Sequence, residues 1–238
     1  MKAIILAAGM GTRISDKIDR LPKCMVDING HPLLEYTLDL LQKNGINDIG
    51  VCVGYRADYI IDKVKKFNVS FFYNPFFDVT NGIASIWFAK DFISNEEDLL
   101  IMSGDLFITP NILKIVFSTK KNPVLLVDSK RIENADYKFH YEDGVLLRHG
   151  KELSIEDTTG ENLGIAIIKK DFVKQYKDNL EKMINSQKHN VWWENVLYDL
   201  IGTTNIYVED VGDNFWAEVD TAEDYQRIEN YLKNRKHE

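Results

Sequence analysis

Cysteine is scarce: Cys24 and Cys52 are the only two in 238 residues. Two are too few for a disulfide framework, and neither has a Cys or His nearby at metal-ligand spacing, which excludes a stapled secreted scaffold and a thiolate metal centre. Both read as buried free thiols. Positive charge is in deficit, with 29 Lys and Arg against 37 Asp and Glu for a formal charge of −8. Such a chain has no basic face to follow a nucleic-acid backbone. No apolar run approaches the ~18 residues of a membrane span, and the N-terminal one is too short for a secretory signal. The expectation is a cytoplasmic protein with neither nucleic acid nor membrane as partner. Internal repeats, low-complexity tracts and linkers are also missing, so residues 1–238 are expected to form a single domain. Two familiar nucleotide motifs are absent as well. After Gly9 and Gly11 the third position of G-x-G-x-x-G is Ile14, and no Gly-Lys-Ser/Thr completes a Walker loop.

What is present is an ordinary globular composition, 45% hydrophobic and 28% charged, enough for a sizeable core. The chain opens with Ala3 to Leu6, a short apolar run with the length and branching of a buried strand. It runs directly into Ala7-Ala8-Gly9-Met10-Gly11-Thr12-Arg13. Small side chains matter at such a point because backbone N–H groups reach an anion only where no Cβ intervenes, and glycine also permits positive φ. Arg13 offers that anion a planar fork, and Lys23, after Pro22, a point charge. A plain strand-to-helix turn also accounts for the two glycines, but it leaves Arg13 and Pro22-Lys23 without a role.

The rest of the chain alternates. Leucines at helical spacing from Leu33 to Leu41 precede the C-cap signal Asn44-Gly45. Asp48 to Val53 reads as a strand, Ala57 to Lys66 as a helix and Val69 to Tyr73 as a strand. This is the pattern of a parallel sheet with crossover helices, whose ligands sit beyond the carboxyl ends of the strands. Asn81 starts a helix after the turn-rich loop from Asn74, either as a cap alone or as a group facing the same strand ends. Asp98 to Ser103 is a strand that ends in Gly104-Asp105, so Asp105 is a candidate metal ligand or the start of a turn. Thr109-Pro110 opens a helix through Phe117, and Pro123 to Val127 is another strand. The texture then becomes β-rich from about 129 to 162, with a hairpin signal at Asp143-Gly144. Leu163 to Ile168 is a strand, and helices are expected over 171–185 and 191–201. The second of these carries Trp192-Trp193-Glu194. Adjacent tryptophans on a helix lie about 100° apart, so one faces the core and the other lines a pocket or covers a seam. A carboxylate beside an aromatic face also suits a small cation. After a strand over 205–208, Phe215 to Asp220 alternates as a strand that ends on an acid. Asp220 either opens the last helix with Thr221 to Asp224 or, with Asp105, reaches a shared cation.

The pattern L-A-A-G-x-G-x-R, followed by the lysine of Pro22-Lys23, resembles the signature of the sugar-phosphate and choline-phosphate nucleotidyltransferases. Ser103-Gly104-Asp105 and Glu218-Val219-Asp220-Thr221 resemble two further segments of that family, so the resemblance extends over essentially the whole chain. It implies an α/β Rossmann-like three-layer sandwich with a mixed, mostly parallel sheet, the nucleotide-diphospho-sugar transferase fold, and a small β-rich acceptor flap at about 129–162. It implies Mg²⁺ held by Asp105 and Asp220, and nucleotide contacts from Leu6, Ala7, Ala8, Gly9, Met10, Gly11, Thr12, Asn81, Gly82, Ser85 and Ser103. In this scheme Arg13 holds the β- and γ-phosphates and Lys23 stabilises charge on the α-phosphate and the acceptor. Gly164, Trp192, Trp193 and Glu194 fall on the acceptor side. Asn81-x-x-x-Ser85 and Trp192-Trp193-Glu194 look like the cytidylyltransferase branch, which uses CTP and a small phosphorylated acceptor such as phosphocholine, 2-aminoethylphosphonate or, above all, the phosphoglutamine of bacterial capsule decoration. A hexose-1-phosphate uridylyl- or thymidylyltransferase and a non-catalytic nucleotide-binding regulator remain alternatives, and the oligomeric state stays open.

Overall fold

Ala3, Ile4 and Ile5 are fully buried, so consecutive side chains of the first strand point into apolar surroundings on both faces. Only a strand with layers above and below it can satisfy that pattern. A computed structural model describes residues 1–11 and 21–235. Arg13 and Thr12 therefore lie outside the described residues. In chain order the elements are β1 (Lys2–Ala7), β2 (Asp27–Ile28), β3 (His31–Pro32), α1 (Leu33–Lys43), β4 (Asp48–Val53), α2 (Ala57–Val64), β5 (Ser70–Tyr73) and α3 (Gly82–Phe88). They continue with β6 (Leu99–Ser103), β7 (Leu106–Ile108), α4 (Pro110–Ser118), β8 (Val124–Asp128), β9 (Lys138–Glu142), β10 (Val145–Gly150) and β11 (Gly160–Ile168). The chain closes with α5 (Lys170–Asn185), α6 (Asn195–Tyr198), β12 (Tyr207–Asp210), β13 (Trp216–Glu218) and α7 (Ala222–Arg235).

Among the described residues nine strands form one mixed sheet in the order β5-β4-β1-β6-β11-β8-β12-β10-β9. β1 lies parallel to both its neighbours, β4 and β6, and β11 enters antiparallel between β6 and β8. The hairpin β9–β10 from the 129–162 segment joins the same sheet through β12 and β11. On one face Leu34, Leu38 and Leu41 of α1, Ile60 and Val64 of α2, and Ile112, Leu113 and Val116 of α4 pack against Ala3 and Ile5. On the other face α3, α5 and α6 bring Ile83, Ile86, Tyr176, Leu180 and Leu197 against Ile4, Ile101 and Ala166. The result is a three-layer α/β sandwich with the mixed sheet between two helical layers, as the resemblance implied. A smaller apolar cluster under α7 holds Phe107, Ala217, Val219 and Ile228. No described helix is long and apolar enough to cross a membrane.

Local signals account for most boundaries. Gly45 has φ +87° after α1, the left-handed turn that favours glycine. Asn81 caps α3, its side-chain oxygen accepting from Gly82 N at 2.7 Å. Thr221 and Asp224 cap α7 reciprocally, with Thr221 N donating to Asp224 Oδ2 at 3.0 Å and Asp224 N to Thr221 Oγ1 at 3.3 Å. One expectation is corrected. The helix predicted over 191–201 is reduced to Asn195–Tyr198, because the carbonyls of His189 and Val191 accept from Asn81 N and Ile83 N at the start of α3. Trp192 and Trp193 therefore precede the helix, and the 100° argument does not govern them. A strand that the sequence reading missed, β7, pairs antiparallel with β13, matching Leu106 with Glu218.

Gly104 marks a close approach at the sheet edge. Its N–H donates to Leu6 O at 2.8 Å, and a Cβ at this position would sit 2.6 Å from that same oxygen. Gly104→Ala should destabilise the protein by about 1–3 kcal/mol in urea unfolding. Gly9→Ala, where an added Cβ meets nothing within 4 Å, should stay within about 0.5 kcal/mol of the parent. Equal stability of the two variants would contradict this account of the strand ends.

Candidate active site

The carboxyl ends of β1, β4 and β6 stand side by side, and the loops leaving them are tied together by backbone hydrogen bonds. Tyr55 N donates to Ala8 O at 3.0 Å, and Gly104 N donates to Leu6 O. A cleft of about 380 Å³ opens over these ends. Leu6 at the end of β1 and the loop residues Ala8 and Gly9 line it together with Lys23. Asn81, Gly82 and Ser85 at the start of α3 line the same cleft, as do Ser103, Asp105 and Gly164. Gly164 adopts φ +73°, and a Cβ there would lie 2.9 Å from Ser103 Oγ, so glycine alone fits between β11 and β6. Ala7 and Gly11 line a smaller adjoining recess of about 130 Å³ with Lys23 and Gly104. Met10 is exposed beside the loop.

Three carboxylates meet at one end of the cleft. Oxygens of Asp105, Glu218 and Asp220 lie within 4.8 Å of one another, brought together because β13 pairs with β7 and Val219 N donates to Asp105 O at 2.9 Å. Lys23 sits among them. Its Nζ donates to Asp220 Oδ1 and lies 3.5 Å from Asp105 Oδ2. Burial, followed by the charge of Asp105, pushes the Glu218 carboxyl well above the usual range, and Lys23 opposes that shift. Three oxygen donors of this kind suit a hard divalent cation such as Mg²⁺. Glu218 was missed by the sequence reading, although a signal existed. It stands two residues before Asp220, on the same face of an extended segment.

The far end of the cleft has a different lining. Trp193 is 4% exposed and Trp192 37% exposed, and both border the cleft with Glu194. Trp192 meets Tyr137 edge-on, with ring centroids 4.8 Å apart. Tyr198 stacks on His149 at 3.9 Å behind them. Glu194 is buried and has no cationic partner among the described residues; Asn162 Nδ2 donates to its Oε1 at 3.3 Å, and burial pushes its pKa up to about 7. Asp136, Tyr137, Glu161 and Asn162 complete this wall. Sequence spacing offered no signal for these four, because β9, β11 and the loop before β9 converge only in the folded sheet. Asn74 was also missed; it reaches Ser85 Oγ at 3.0 Å and Thr80 Oγ1 at 3.1 Å through its Nδ2, fixing the loop that leads into α3.

A profile of the MobA-like NTP transferase domain matches residues 3–146. Choline-phosphate cytidylyltransferase of Streptococcus pneumoniae is 26% identical over 98% of this chain and 99% of its own length. CTP:phosphoglutamine cytidylyltransferase of Campylobacter jejuni is 27% identical over 95% of this chain and 98% of its own. Among solved structures, the CTP:phosphocholine cytidylyltransferase of S. pneumoniae superposes with a TM-score of 0.77 at 24% identity, covering 97% of this chain and 98% of that one. A UDP-glucose pyrophosphorylase complexed with UDP-glucose also gives 0.77, at 14% identity and with 98% of each chain covered. At these identities the superpositions establish the fold, which is that of nucleotidyltransferases.

The burial of Glu194 has a consequence for stability. Its folded pKa is raised from 4.5 to about 7, so between those values the folded state holds a proton that the unfolded chain releases. Stability therefore falls as pH rises through this window, and the cost is complete above it. Glu194→Gln removes the titration and should gain on the parent between pH 5 and pH 8 by up to about 3 kcal/mol in urea unfolding. A stability difference that does not change with pH would exclude a buried, ionising Glu194.

Proposed function

The chain belongs to the MobA-like NTP transferase family, and we propose that within it this chain is a cytidylyltransferase, transferring CMP from CTP to a small phosphorylated acceptor that carries an amine. One observation above all supports this acceptor class. Among the described residues that line the cleft, Asp105, Asp136, Glu161, Glu194 and Glu218 are acidic, and Lys23 is the sole cation. The sugar ring of a hexose phosphate gains little from such a lining, whereas an ammonium gains from the aromatic faces of Trp192 and Tyr137 and from the Glu194 carboxyl, whose side-chain partner is the Asn162 amide. The fold does not separate the two branches, since phosphocholine and glucose enzymes superpose equally well. The choice of CTP rests on relatives named for it that match over nearly the whole chain.

The chemistry joins two anions. A phosphate oxygen of the acceptor attacks the α-phosphorus of CTP, the bond to the bridging oxygen between the α- and β-phosphates breaks, and pyrophosphate departs with that electron pair. No covalent enzyme intermediate is needed, so catalysis comes from positioning and charge neutralisation. Asp105, Glu218 and Asp220 would hold Mg²⁺, which supplies positive charge against the phosphates when bound. Lys23 adds a second positive charge beside the same acids, where it serves the α-phosphate and the acceptor phosphate. The small residues Ala8, Gly9 and Gly11 beyond the end of β1 would present backbone N–H groups to the triphosphate, and Arg13 is assigned there by resemblance. Asn81 and Ser85 are assigned to the base and ribose. This convergence of charged groups disfavours a non-catalytic regulator, which has no need of a lysine lodged among three carboxylates.

Pyrophosphate release from CTP, UTP, dTTP and ATP, each offered with phosphocholine, 2-aminoethylphosphonate, phosphoglutamine or glucose 1-phosphate, tests the reading. Turnover should need CTP and an amine-bearing acceptor; preference for UTP or dTTP with glucose 1-phosphate would overturn it. Lys23→Ala should lower kcat on the order of 10²–10³-fold with the fold intact by circular dichroism. Asp105→Asn, Glu218→Gln and Asp220→Asn should each weaken Mn²⁺ binding measured by electron paramagnetic resonance. Unchanged Mn²⁺ binding in all three would remove the metal assignment.

A further inference from the structure

One ion pair, between half-buried Arg131 and buried Glu161, stands at the cleft wall and takes no part in the bond-making and bond-breaking described above. Glu161 of β11 has a side chain only 5% exposed, and both of its oxygens are occupied. Arg131 Nε donates to Oε2, and Asp136 N donates to Oε1 at 2.7 Å. Arg131 is fixed from behind. Its guanidinium lies 5.4 Å from the centroid of the Trp216 ring, and Trp216 Nε1 donates to buried Asp128 Oδ2 at 2.8 Å. Arg131 and Asp136 lie on the connection between β8 and β9, so a single carboxylate holds this connection at two points. The held segment ends in Asp136 and Tyr137, which border the cleft, and Tyr137 makes the edge-on contact with Trp192.

Such a pair is weak support for stability, because desolvating the Glu161 carboxylate offsets much of its attraction to Arg131. Its geometry here instead serves placement. We infer that Arg131 and Glu161 are positioning residues for the acceptor: the pair sets the segment that carries Asp136 and Tyr137 and so shapes the acceptor end of the cleft without touching the nucleotide end. Arg131 does not border the cleft, and the loop and α3 residues assigned to CTP are not among the partners of either side chain. The inference rests on the acceptor assignment made above, and the acceptor is the substrate whose binding it affects.

Steady-state kinetics on the full chain, varying acceptor and CTP separately, test it with Arg131→Met, Arg131→Lys, Glu161→Gln and the Met/Gln double variant. Arg131→Met and Glu161→Gln should each raise acceptor KM about tenfold to a hundredfold while leaving CTP KM within about twofold. Arg131→Lys, which keeps the charge but not the planar fork, should fall between the parent and Arg131→Met. The double variant should be no worse than either single, since both remove the same clamp. The near-isosteric Glu161→Gln keeps the test available if Arg131→Met fails to fold. An unchanged acceptor KM, or acceptor and CTP KM rising together with a lowered Tm, would overturn the inference. If the parent protein proves to use glucose 1-phosphate in place of an amine-bearing acceptor, the functional reading falls, and the same ratio of KM changes measured with that sugar phosphate decides the positioning role by itself.

Discussion

The arrangement of Lys23 among Asp105, Glu218 and Asp220 is the constraint on which the site depends. Three carboxylate oxygens within 4.8 Å repel one another, and no fold holds them together without a compensating charge or a proton. Lys23 supplies the charge, bonding Asp220 and approaching Asp105, while Glu218 leans toward its protonated form. In the proposed reaction a divalent ion and a phosphate would take over the partners that the acids and the lysine now find in each other. Catalysis between two anions needs that exchange of partners at one place.

The framework makes the cluster possible by joining distant parts of the chain. Lys23 follows the loop after β1, Asp105 follows β6, and the other two acids lie at and beyond the end of β13, whose pairing with β7 is short and lies outside the main sheet. β1 sits between β4 and β6, all three parallel, so their carboxyl ends deliver three loops to one edge. Close backbone approach there is purchased with glycine, most clearly at Gly104 against Leu6 O and at Gly164 against Ser103.

The opposite end of the cleft is built on other physics. Trp192 and Tyr137 give aromatic surface with polar edges, backed by buried Tyr198, and Asp136, Glu161 and Glu194 give acidic groups at differing depths. Glu161 is matched by Arg131 and Asp136 by exposed Lys151, whereas buried Glu194 relies on the Asn162 amide. That asymmetry leaves Glu194 as the wall's buried acid without a cationic partner among the contacts described. On the reading proposed above, this acidic, aromatic recess is what favours an amine-bearing acceptor over a hexose, a choice that the shared fold leaves undivided.

Local sequence determined a good deal here. Apolar runs and helical leucine spacing place β1, α1, β4 and α2 nearly residue by residue, because strand and helix periodicity act within a few positions. The glycine loop, Lys23, Asp105 and Asp220 were legible for the same reason, as small or charged residues at the ends of apolar strands. Glu218 was legible in principle, two residues before Asp220 on an extended segment. What the tertiary structure alone decided were the groupings that need distant segments to meet. Asp136, Tyr137, Glu161 and Asn162 form a wall with Trp192 and Glu194 only because β9 and β11 pair and α6 packs beside them. The predicted 191–201 helix starts late for a like reason: the carbonyls of His189 and Val191, just before and at its expected start, accept from the start of α3, some hundred residues earlier in the chain. Periodicity reports which side of an element is apolar; it does not carry the hydrogen bonds and charges that another part of the chain brings to it.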